Sequence, residues 1–319
     1  MSEQDIVVPA ATNAPAAVNT VFRRPNGIRA GWRVLIYLAI MGGVLVVLAI
    51  LAFALRLAGR GRNGQIGGSS IAPLGLSVLE GTILSVSVIP ALIMARIEHR
   101  KFGDYGLSAR YAFRKDFWIG TVVGFLAIST TLLSILALHG FHLAGLAIHG
   151  SMIVTSIAAW SAAFVIVGLS EEFAFRGYLQ FTLTTGMGFW PSAIFLSALF
   201  GLAHANNPGE SKFGLVSVVC FGLLFCLFLR RTGNLWWAVR FHAGWDWGQT
   251  FFIGVSDSGL APYQNLFNSS FSGPRCLTGG TVGPEASIFT PITLLLVAVV
   301  FSFAYRENRY WNIEFLENL

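Results

Sequence analysis

Charge is what this sequence lacks most. Asp, Glu, Lys and Arg make up 11% of its 319 residues, against roughly 25% in a soluble domain. That deficit excludes a water-facing surface over most of the molecule, so much of it must face lipid. Cysteine is nearly as scarce. Cys220, Cys226 and Cys276 show neither a metal-ligand spacing nor the pattern of a disulfide framework. Cys220 and Cys226 lie in an apolar run, where cysteine packs as a small hydrophobe. No nucleic-acid motif accompanies the net charge of +6, which therefore bears on orientation and anionic headgroups. No internal repeat is found, which weighs against a transporter built from inverted halves. Strand alternation of barrel length is missing too, which leaves a helical bundle as the spanning architecture that fits.

What is present is apolar: 55% of residues are hydrophobic and the mean hydropathy is +0.67. Residues 1–30 read as a disordered cytoplasmic tail and 31–319 as a single membrane domain. Val34–Leu55 runs 22 residues without a charge, long for a signal-peptide core, and reads as a retained transmembrane helix. Further spans are expected at about 72–95, 117–138, 150–175, 189–205, 213–229, 235–255 and 286–304, with the fourth continuing as helix to about 185. The fold class is thus all-α, a polytopic transmembrane bundle of about eight helices. With the N-terminus inside, the cytoplasmic segments hold sixteen Lys and Arg residues and the opposite segments five. This bias places both termini in the cytoplasm, with a bacterial inner membrane as the expected location.

Ionisable groups inside a bilayer are costly and default to functional candidates with a nameable partner. Glu171, Glu172 and Arg176 follow an apolar run. On a helix Glu172 and Arg176 meet on one face, while Glu171 is turned by about 100° and points elsewhere. One carboxylate is then neutralised structurally and one is free to work. A helix end reaching cytoplasmic water would account for the same charges. His204, four residues after Phe200, closes the fifth span; alone, such a histidine is more often a packing residue. His242 and Asp246 lie four apart in the seventh span, where the carboxylate can fix the imidazole tautomer or the pair can glue helices together. Glu80 is expected near the far interface. His139, His142 and His149 fall in a connection read as a solvated loop.

Taken together, E-E-x-x-x-R at 171–176, F-x-x-x-H at 200–204 and H-x-x-x-D at 242–246, in this order on successive hydrophobic segments, resemble the CAAX protease and bacteriocin-processing family of intramembrane proteases. That family includes the eukaryotic Ras-converting CAAX endopeptidase and many bacterial immunity-type proteins. The resemblance covers about 71–305 and is strongest over 165–250. Asp104-Tyr105-Gly106-Leu107, Leu277–Gly280 and Gly283-Pro284-Glu285 are similar to a bacterial branch. One position departs from the pattern. The family often has Asn where this chain has Asp246, and an ionised Asp cannot donate a hydrogen bond to an oxyanion. Asp246 is then protonated, a metal ligand, or a partner orienting His242; the last is favoured.

The resemblance implies a membrane-embedded endopeptidase of glutamate or metallo type. Its substrate would be a peptide or protein reaching the bilayer. No serine, cysteine or threonine pairs with a histidine at nucleophile spacing, so an activated water is the economical mechanism. Glu171 would be general base, His204 would orient the water, and His242 would stabilise the oxyanion with Asp246 orienting it. Glu172 and Arg176 would hold the helix geometry. His204 and His242 with a carboxylate are also able to bind zinc, but the compact H-E-x-x-H spacing is missing, and the sequence leaves metal-dependent and metal-free routes open. A shared hydrated cavity lined by Phe175, Phe200 and Trp245, admitting substrate from the cytoplasmic side, is expected. The competing function is a non-catalytic membrane protein binding a peptide or bacteriocin, as in immunity.

Overall fold

The structure is a computed structural model and describes residues 23–24, 27–57, 70–112 and 116–310. Most of the tail assigned to residues 1–30 lies outside the described residues; within it, Arg23–Arg24 and Gly27–Ile28 pair as a short antiparallel ladder. The rest is overwhelmingly helical: α1 Ala30–Leu57, α2 Pro73–Ile97, α3 Asp116–Ala137, α4 Ser151–Arg176, α5 Tyr178–Met187, α6 Phe189–Ala203, α7 Lys212–Thr232, α8 Trp236–Asp246, the one-turn α9 Arg275–Thr278, and α10 Phe289–Ala304.

Among the described residues, five helical segments are long and apolar enough to cross a membrane: 30–54, 73–97, 118–137, 151–187 and 212–232. The other three expected spans are shorter helices. α6 and α10 are apolar but have fewer than eighteen residues, and α8 gives way after Asp246 to a π-helical stretch, Trp247–Ile253. The fourth span does continue towards residue 185, but it breaks at Gly177 between α4 and α5. A Cβ there would crowd the Phe173 carbonyl at 2.5 Å.

Local chemistry sets the helix ends. Pro73 opens α2, where its missing N–H costs nothing. The Ser211 hydroxyl caps α7 by accepting from the Gly214 N–H at 2.9 Å. Gly233, in the left-handed region, stops α7. The Asp104–Leu107 stretch forms part of a short 3-10 turn, Phe102–Tyr105, closed by Gly106 at φ 99°. The Gly106 carbonyl accepts from the Leu235 N–H at 3.0 Å, so this segment docks the start of α8.

The bundle has two distinct ends. At one end the Arg33 guanidinium meets Glu98 at 2.7 Å, and the hydroxyls of Tyr178 and Tyr105 donate to the same carboxylate at 2.6 and 3.1 Å. This cluster ties together α1, the end of α2 and α5. Tyr105, Phe173, Tyr178, Phe181, Leu229 and Val239 pack beside it as dry core. At the other end, strands Phe141–Leu146 and Phe267–Phe271 pair antiparallel. The connection expected to be a solvated loop is therefore a strand, and His142 bonds to Ser272 at 2.9 Å.

Three helices approach closely enough to need glycine. A Cβ on Gly124 of α3 would collide with the Phe241 carbonyl, and one on Gly244 of α8 with that of Thr121. A Cβ on Gly168 of α4 would lie 2.7 Å from the Val239 carbonyl. α8 is thereby wedged between α3 and α4, with His242 turned towards α4.

Candidate active site

Glu171 and Glu172 stand on the last turns of α4. Glu172 is fully buried, and its Oε1 is shared: Arg176 Nη1 lies 3.5 Å away and His242 Nδ1 3.2 Å. The Arg176 side chain is also fully buried, with its guanidinium 4.2 Å from the centroid of the Phe200 ring. That face is a favourable seat for a cation withheld from water. Glu171 points away from this pair, remains partly exposed, and brings Oε2 to 3.7 Å from His242 Nε2. Asp246, one turn along α8, places Oδ2 3.5 Å from the same nitrogen. Both nitrogens of His242 thus face carboxylate oxygens, and the ring stacks on Phe225 at 5.2 Å.

His204 terminates α6. Its Nδ1 lies 2.8 Å from the Phe200 carbonyl. A carbonyl only accepts, so Nδ1 carries the proton and Nε2 is left as an acceptor. His204 pairs with no carboxylate among the described residues, and its ring packs edge-on to Phe200 at 4.7 Å.

These groups border one cavity of about 570 Å³. Glu171, His204, His242 and Asp246 all line it, and so do Phe175, Phe200 and Trp245. Glu172 and Arg176 lie behind the wall. Three further carboxylates reach the cavity that the motifs do not mark: Glu80, Asp257 and Glu285. Glu80 is buried against the Ser170 hydroxyl one residue before Glu171. It had been expected near the interface. Because α2 and α4 run side by side, its early position in α2 meets the late part of α4. Asp257 accepts from the Thr250 hydroxyl at 2.8 Å. Glu285 accepts from the Ser258 N–H at 2.5 Å and from Gln249 Nε2 at 3.0 Å.

Gln249 organises this part of the site. It accepts from Trp245 Nε1 at 2.9 Å and donates to the Ser256 carbonyl at 2.7 Å, holding the π-helical stretch against the loops that follow. Such widened turns recur where a helix must re-aim side chains. Asp257 and Glu285 lie in loops beyond the spanning helices. Burial raises the Asp257 carboxyl above the usual carboxylate range. Burial, and then the charge of Asp257, raise Glu285 well above it. The resemblance to a bacterial branch had singled out Gly283-Pro284-Glu285; the carboxylate at its end is what reaches the cavity.

The zinc alternative can be tested on the same geometry. Among the described residues no group of three or more His, Cys, Asp or Glu side chains is arranged to hold a metal ion. The side-chain contacts give the reason. Both nitrogens of His242 are directed at carboxylates, and His204 alone keeps an uncommitted ring nitrogen, Nε2.

A bundle with five helices among the described residues able to cross a membrane, and a cavity edged by carboxylates and imidazoles, defines an integral membrane protein with a polar centre suited to acid–base chemistry. Residues 153–248 match the family model described as type II CAAX prenyl endopeptidase Rce1-like; over this segment the chain is similar to the CAAX protease and bacteriocin-processing family. The match contains all three motifs. No curated protein matches the chain. That family is one of proteases.

Proposed function

We infer that this protein is an intramembrane endopeptidase that hydrolyses a peptide bond with a water activated by Glu171. The observation that carries the reading is the placement of Glu171 Oε2 3.7 Å from His242 Nε2 on the wall of the cavity that His204 also lines. Glu171 takes a proton from the water as its oxygen attacks the scissile carbonyl. The His242 N–H turned to the cavity donates to the oxyanion as it forms, and Asp246 holds that ring in register. The C–N bond then breaks, and Glu171 returns its proton to the leaving amine. His204, with Nε2 as acceptor, orients the water. Glu172 and Arg176 support the site from behind: the buried pair fixes the last turn of α4, and Glu172 anchors Nδ1 of His242.

No step needs a metal. The placement in a bacterial branch, and with it a bacterial plasma membrane with both termini cytoplasmic, belongs to the same proposal. The test is cleavage of a peptide library by the purified protein and its Glu171→Gln variant. General acid–base catalysis contributes about 10²–10⁴-fold, so a loss of that size is expected in a variant that keeps its melting temperature. Equal cleavage by both proteins would remove Glu171 from the chemistry, and cleavage by neither would overturn the reading and favour a peptide-binding, immunity-type role.

A further inference from the structure

The Lys and Arg side chains divide unevenly between the two ends of the bundle. Arg33, Arg100, Arg110, Arg230, Arg306 and Arg309 gather where α1, α6 and α8 begin and α2, α7 and α10 end. Contacts join them into one surface: Arg230 lies over the Phe189 ring at 4.9 Å, and Arg231 donates to the Arg306 carbonyl at 2.6 Å. At the opposite helix ends, the described residues carry Arg56, Lys212 and Arg275. The end rich in Lys and Arg is the one retained in the cytoplasm.

The cavity belongs to the other end. Asn207 and Pro208, from the α6–α7 connection, form part of its wall. Asp257, Ser258 and Glu285, from the loops after the π-helical stretch, form another part. No residue of the arginine-rich loops lines it. Between the cavity and that end stands the dry core containing Phe173, Tyr178, Leu229 and Val239, all buried. An apolar core of this kind offers no partners to a water or to the polar backbone of an extended peptide.

We propose that the centre is reached from the face of the membrane away from the cytoplasm. Its substrates, on the peptidase reading above, are then peptide segments presented on that face: exported chains, or the juxtamembrane parts of anchored ones. Free C-termini of cytoplasmic proteins are not its substrates. This reverses the cytoplasmic access expected from the sequence. The loops that line the cavity come from the opposite side.

Native thiols provide the test, because Cys276 is exposed at the cavity end while Cys226 is buried. Intact cells expressing the full chain are treated with a charged, membrane-impermeant maleimide. The expected result is loss of the free-thiol signal of Cys276 without permeabilisation. In a Cys276→Ser background, Asn207→Cys at the cavity wall should likewise be labelled from outside. Glu307→Cys at the arginine-rich end should be labelled only after the cells are opened. Labelling of Cys276 and Asn207→Cys only after opening overturns the proposal. So does labelling of Cys276 from outside with Asn207→Cys reached only after opening, or not at all. Labelling requires no catalysis, so the result stands apart from the cleavage assay: Glu171→Gln should label identically, and a failure to cleave peptides would leave the sidedness intact.

Discussion

His242 leans on Glu172, its Nδ1 3.2 Å from a carboxylate oxygen that also faces Arg176 at 3.5 Å. A residue of α8 is thereby registered on α4 through a group with no access to water. The arrangement separates the two adjacent glutamates. Glu172 supports the ring from one side, and Glu171 meets the cavity on the other.

Loss of Arg176 is expected to harm folding more than chemistry. Its partner Glu172 is fully buried, and stranding one member of a buried pair costs on the order of 3–5 kcal/mol. Arg176→Ala should therefore show a lowered melting temperature and poor recovery from the membrane. A variant that melts normally but is inactive would assign Arg176 a direct part in catalysis.

His204 should behave in the opposite way. It is partly exposed at the end of α6, and its hydrogen bond is to the carbonyl of its own helix. His204→Ala should keep its thermal stability within about 0.5 kcal/mol, the usual range away from packed features, while cleavage falls at least about 10²-fold. Unchanged cleavage would reduce His204 to a wall residue.

The glycines at the α8 crossings are expected to govern the site at a distance. A methyl on Gly244 meets the Thr121 carbonyl, and one on Gly168 meets that of Val239. Overpacking of this kind costs about 1–3 kcal/mol. Gly244→Ala should lower stability by that amount. It should also reduce cleavage, because relief of the clash displaces α8 from α3 and presses His242 against α4, out of register with Glu171. Loss of stability with full activity would show that the bundle absorbs the strain elsewhere.

The loops at the cavity should be pH-sensitive. Asp257 and Glu285 have folded-state values raised above their usual range. Between the ordinary carboxylate range and those raised values, the folded state holds protons that the unfolded state has released. Stability of this region is therefore greatest at low pH and is lost as pH rises through the folded values. Amide exchange over 256–286, corrected for its intrinsic rate, should show protection falling with rising pH. Asp257→Asn should flatten the trend, and protection that rises with pH would refute it.

Several features were legible in the sequence because they depend on one helix or one count. Low charge and long apolar runs required a membrane bundle. A spacing of four placed Glu172 beside Arg176 and Asp246 beside His242, since residues so spaced share a helix face whatever surrounds them. The order of the three motifs pointed to the family that residues 153–248 match. The shortness of α8 was not legible, because apolar composition continues past Asp246, where the π-helical stretch takes over. Nor was the strand at 141–146, whose pairing partner lies more than a hundred residues further on.

Composition also determined which end of the bundle carries the positive charge. Only the tertiary structure decided which end the cavity belongs to, and which carboxylates border it. Glu80, Asp257 and Glu285 have no motif of their own. They reach the site because α2 lies parallel to α4 and because Gln249 ties the π-helical stretch to the loops beyond it. Helical spacing constrains neighbours within a helix; convergence of separate helices depends on how closely their backbones can pack, and here that depends on the glycines at the α8 crossings.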